Sequence, residues 1–186
     1  IADGNETAAL TAYTSAITGA TSVTLAATDT VWSVTAANLT TALAAGVRLA
    51  GTLTVTGIEN GDETAALTAF TATTTGATSV TLTADGAWSV TGSTLKTALD
   101  GGVRLVGTLA VTDIASGDET GASTTFSTTN TGATSVTLAA ADGTLSVAAS
   151  TLSADLSSGI KYLGALTVTD IASGDETAAL AAYTAA

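Results

Sequence analysis

The chain repeats itself about every 57 residues, and that period limits its fold more than any other feature. Gly4-Asn5-Glu6-Thr7 recurs as Gly61-Asp62-Glu63-Thr64, Gly117-Asp118-Glu119-Thr120 and Gly174-Asp175-Glu176-Thr177, at steps of 57, 56 and 57 residues. Gly-Ala-Thr-Ser-Val-Thr-Leu begins at Gly19, Gly76 and Gly132 in the same phase, and Gly-Val-Arg-Leu at Gly46 and Gly102 becomes Gly-Ile-Lys-Tyr at Gly159. A fixed period of this size marks supersecondary units that cannot bury their apolar faces alone. The repeats run 4–60, 61–116 and 117–173, with 1–3 ending a preceding repeat and 174–186 opening the next. Atypical polar capping units, which a self-contained array carries at its ends, are missing, so neighbouring units from the same chain or another subunit are expected at both ends.

Within the second repeat, Val80 and Leu82 share one face of 78–83, and Trp88 and Val90 alternate after Ala84-Asp85-Gly86. Alternation on both sides of a short Gly-containing loop predicts a hairpin, with Leu82 opposite Trp88 and Val80 opposite Val90. Leu25 with Trp32, and Leu138 with Leu145, fit the same pairing. Leu95, Ala98 and Leu99 then predict a short helix opened by Thr91 or Ser93 and ended by Gly101-Gly102. Val103, Leu105, Leu109 and Val111 predict a long strand bent or bulged at Gly107. Residues 64–75 fit either one helical turn through Leu67 and Phe70 or an extended segment; the Ser/Thr-rich counterpart at 121–131 suits the extended form better. The implied fold class is mainly β with one short helix per repeat: ββαβ-type units stacked as a solenoid or filament.

Composition removes whole classes of chemistry. Cys, His, Met and Pro are absent, so disulfides, thiolate nucleophiles, imidazole bases and ordinary zinc sites are excluded. Four Lys+Arg stand against 16 Asp+Glu, a formal charge of −12, which is wrong for neutralising phosphates or anionic lipid and argues against a nucleic-acid partner. Mean hydropathy is high at +0.48, yet no transmembrane segment is expected. The charge-free stretch 7–28 is long enough, but it is dense in Thr, Ser and Gly.

Eleven of the 16 carboxylates lie in one recurring acidic turn. The candidate calcium ligands are Asp62, Glu63, Asp113, Asp118, Glu119, Asp170, Asp175 and Glu176, because calcium takes six to eight oxygens that clustered carboxylates and turn carbonyls supply. The plainer reading is a solvated turn whose Asp caps the next segment. Arg48, Arg104 and Lys161 share one repeat position and either bridge to the acidic turns or blunt a strand edge. Trp32 and Trp88 read as core rather than as a sugar platform, since Leu145 takes the third position. No unique carboxylate pair or activated nucleophile is visible, so the chain is not expected to be an enzyme.

The runs TSVTLTADGAWSVTGSTLKTAL and GTLAVTDIASGDETAAL resemble the Thr/Ala/Gly-rich tandem repeats of large secreted bacterial surface proteins, S-layer-like and RTX-adhesin-like. The resemblance implies an extracellular or cell-surface location and frequent dependence on calcium. The glycine-rich calcium nonapeptide of RTX proteins is absent, so calcium does not carry over residue by residue. The function expected is a structural, extracellular protein that self-assembles with copies of itself into a filament, sheath or surface layer. The alternative is the stalk of a large bacterial adhesin, and a third option is a calcium-stabilised version of either.

Overall fold

The computed structural model describes residues 1–183; residues 184–186 of the last sequence segment lie outside it. Two short helices open the chain, α1 (Glu6–Ala12) and α2 (Ser15–Thr18), followed by β1 (Val23–Thr35), α3 (Ala36–Ala44) and β2 (Val47–Ile58). The second repeat gives α4 (Glu63–Ala69), α5 (Ala72–Thr75), β3 (Ser79–Ala84), β4 (Trp88–Thr91), α6 (Gly92–Asp100), β5 (Val103–Val106) and β6 (Thr108–Ile114). The third gives α7 (Glu119–Thr125), α8 (Thr128–Thr131), β7 (Ser135–Ala148), α9 (Ala149–Ser157) and β8 (Ile160–Thr169), and α10 (Glu176–Tyr183) follows.

The strands form two four-stranded sheets, in the orders β1-β2-β3-β5 and β4-β6-β7-β8. The pairings are parallel. With ten helices among the described residues, the chain is α/β. This corrects the expectation of a mainly-β array with one short helix per repeat. Residues divide into two compact units, 1–88 with 97–107, and 89–96 with 108–186. The first sheet takes β1 and β2 from the first sequence repeat and β3 and β5 from the second; the second takes β4 and β6 from the second repeat and β7 and β8 from the third. A ββαβ repeat is therefore not the structural unit, and the stacked solenoid of such repeats is set aside.

The hairpin is also corrected. Leu25 and Trp32 lie on one continuous strand, β1, and pair in parallel with Leu49 and Leu53 of β2. Leu138 and Leu145 do the same on β7, beside Tyr162 and Leu166. Leu82 lies between Val55 and Leu105, while Trp88 begins a strand of the other sheet. The residues read as a turn form a bulge: Ala26 pairs with Ala50 and Val31 with Thr52, leaving 27–30 opposite Gly51 alone. Parallel neighbours require a crossover, and the helices α3 and α9 supply it. Alternation reports which face a residue occupies, not whether the chain reverses, so a bulge and a hairpin look alike in sequence.

The segment 121–131, expected to be extended, belongs to α7 and α8. Caps decide this more than apolar stripes do. The side chains of Thr14, Thr71 and Ser127 accept from the backbone N–H groups of Ile17, Thr74 and Asn130, and Gly19, Gly76 and Gly132 end the helices in the left-handed conformation. Drift replaced Leu67 by Ser123 in the third repeat but kept buried Phe126, this cap and this glycine.

In the first unit, Trp32, Leu39, Leu49, Leu53, Val55, Leu67, Leu82, Trp88 and Leu105 are buried; in the second, Leu109, Val136, Leu138, Leu145, Leu152 and Ile160 are. Each such side chain contributes roughly 1.5–3 kcal/mol. Both Trp residues are core, as expected, and each indole keeps a partner: Trp32 Nε1 donates to Ala50 O at 2.9 Å and Trp88 Nε1 to Val106 O at 3.0 Å. Among the described residues, no helix is long and apolar enough to cross a membrane.

Candidate functional site

The acidic turns do not gather their carboxylates into one site. Asp62 and Asp118 stand at the N-caps of α4 and α7, but neither side chain makes a capping bond. The glutamates that follow do the structural work instead. Glu63 and Glu119 are buried. Glu63 Oε2 accepts from Gly61 N at 2.8 Å, and Glu119 Oε1 from Ser146 N at 3.2 Å. Glu176 Oε2 accepts from Gly174 N at 2.9 Å, although Glu176 and Asp175 are exposed. Asp113 and Asp170 adopt left-handed backbone, with φ of 59° and 56°, where the first repeat has Gly57 at 65°.

Asp113 and Asp118 line one shallow open groove with Ser93 and Lys96. Asp170 and Asp175 line its counterpart with Ser150, Ser153 and Tyr183. Each groove thus brings together two of the candidate ligands, while Glu63 and Glu119 face inward. Among the described residues no group of three or more Asp or Glu side chains comes together to hold a metal ion. Arg48 and Arg104 use their guanidinium groups locally. Arg48 Nη1 donates to Val47 O at 2.8 Å and to Leu43 O at 3.4 Å, and Arg104 Nη1 to Val103 O at 2.8 Å. At Leu43 the charge meets the C-terminal carbonyls of α3, the end a cation favours.

A polar cluster in the second unit was not visible from sequence reading. Tyr162 OH donates to Asp155 Oδ2, with Ser123 and Glu119 nearby. Burial, and after it the hydrogen bond and charge of Asp155, hold the Tyr162 hydroxyl above its ordinary value. The equivalent positions of the first unit are Leu105, Ala98 and Leu67, all buried. The signal was present in the aligned repeats: Leu to Tyr, Ala to Asp and Leu to Ser changed together.

The sheet edges are the second feature that sequence reading left open. β8 ends the second sheet. Leu166 and Val168 on it are only half-buried, whereas their repeat equivalents Leu53, Leu109, Val55 and Val111 are buried. Ile171 is 38% exposed, against 1% for Ile58 and 4% for Ile114. In the first unit, β1 is one edge of its sheet, and Val23 is half-buried where Val80 and Val136 are fully buried. A scan against protein-family models finds no match to this chain, and searches of the curated proteins and of the solved structures find none either.

Proposed function

We propose that this chain is a structural, non-enzymatic protein of the cell exterior that self-assembles, with copies of itself as partner, into a filament, sheath or surface layer. The observation that carries the reading is the apolar edge of β8, where Leu166 and Val168 are half-buried and the following Ile171 is exposed, at positions buried elsewhere in the chain. An open strand edge is a template for another strand, and proteins that avoid pairing blunt it with Pro, bulges or several charges. Here Pro is absent and Lys161 is the one charged residue of β8. With one charge on β8, pairing along this edge meets little local repulsion. The exterior location rests on the resemblance to secreted surface repeats.

Electron microscopy of the purified chain tests this directly. Polymers are expected. Dispersed single molecules at high concentration would oppose the reading and favour the adhesin stalk.

A further inference from the structure

We infer that molecules join head to tail through a continued parallel sheet, in which the second half of β8 of one molecule lies beside the first half of β1 of the next. The register is Ala165 with Ser22, Leu166 with Val23, Thr167 with Thr24 and Val168 with Leu25. This rests on the self-assembly proposed above and specifies its junction.

The join already occurs inside the chain, once in each compact unit. β2 meets β3 with Thr52, Leu53, Thr54 and Val55 beside Ser79, Val80, Thr81 and Leu82. β6 meets β7 with Thr108, Leu109, Ala110 and Val111 beside Ser135, Val136, Thr137 and Leu138. By the sequence period, the first member of this pair recurs at 165–168, which differs from 52–55 only at Ala165, and the second recurs unchanged at 22–25. Both segments lie on edge strands: among the described residues β8 pairs with β7 and β1 with β2. The two edges differ from each other, so the contact is heterologous and each molecule offers one edge to each neighbour.

The segments beside the edges fix a further detail. Residues 171–183 repeat 1–13 almost unchanged. Ile1 O accepts from Thr28 N at 2.8 Å, as Ile58 O accepts from Asp85 N at 3.0 Å. Ile1 therefore sits where the Ile171 of a joining molecule belongs. Glu6, Ala9 and Leu10 of α1 are buried, whereas Glu176, Thr177 and Ala178 of α10 are exposed. In the junction, Ile171 and α10 of one molecule take over the seat that Ile1 and α1 hold in the other. The head segment acts as an internal competitor, held at high effective concentration, that slows joining.

The chain has no cysteine, so introduced thiols report the junction cleanly. Full-length Thr24→Cys and Thr167→Cys proteins are mixed, left to assemble and treated with a short bismaleimide. A dimer at least tenfold more abundant in the mixture than with either variant alone is expected. Polymers that form without this product would overturn the junction while leaving self-assembly standing; failure of the unmodified chain to associate would overturn self-assembly itself. Adding Leu10→Ala, which loosens α1, should speed formation of the cross-linked product several-fold. An unchanged rate would show that the head segment keeps its seat and would overturn the exchange.

Discussion

Single residues govern the bulges and the buried polar groups. Gly51 has φ of 114°, and a Cβ there would lie 2.2 Å from Thr30 O; at Gly164 the figures are 122° and 2.7 Å from Gly143 O. Gly51→Ala should therefore cost at least about 2 kcal/mol in urea unfolding. Gly107→Ala, with φ of 110° but no neighbouring atom within 4 Å, should cost roughly 1 kcal/mol. Equal losses would mean that the bulge is not built around Gly51. Tyr162 gives a pH test. Its folded hydroxyl ionises above the ordinary value of 10.0, so its contribution is complete below that pH and lost as pH rises beyond it. Thermal melting should fall more steeply above pH 10 than in Tyr162→Phe. That variant leaves Asp155 buried without its donor and should lose roughly 1–3 kcal/mol at neutral pH. Asp155→Ala with Tyr162→Leu, which restores the pattern of Ala98 and Leu105, should recover most of it.

At the scale of elements, the acidic turn is a helix start whose glutamate closes the backbone. Glu119→Ala removes the acceptor for Ser146 N from a buried site and should cost about 1–3 kcal/mol. Glu176→Ala, on an exposed residue, should cost under roughly 0.5 kcal/mol. Because Glu63 and Glu119 are already engaged, melting should be the same in chelator and in calcium; a fall of several degrees in chelator would place an ion in the turns. The Ser127 cap and the closing Gly132 mark a helix end that the reading of 121–131 as extended missed. The helix through Leu95 and Ala98 was legible in the sequence, whereas the strand expected to run from Val103 to Val111 with a bend at Gly107 divides there into β5 and β6 of different sheets. Strand direction was not legible. Leu25 and Trp32 alternate correctly for either a hairpin or a bulged strand, and only the tertiary pairing with Leu49 and Leu53 separates the two.

For the whole molecule, the period was plain, but the unit it builds was not. Each sheet borrows strands from two successive sequence repeats, so three repeats yield two compact units. A sequence shows where a pattern recurs; it does not show how strand pairing cuts across it. The same borrowing leaves Leu166, Val168 and Ile171 without the neighbours that cover Leu109, Val111 and Ile114. The most direct measurement is sedimentation velocity of the unmodified chain and of Ile171→Asp over a range of concentrations. Self-association through the bare edge requires the native chain to sediment as growing species while Ile171→Asp, with a charge in the seat, remains a 17.8 kDa monomer. A native chain that stays at 17.8 kDa at every concentration, or a variant that assembles as readily as the native chain, would contradict it.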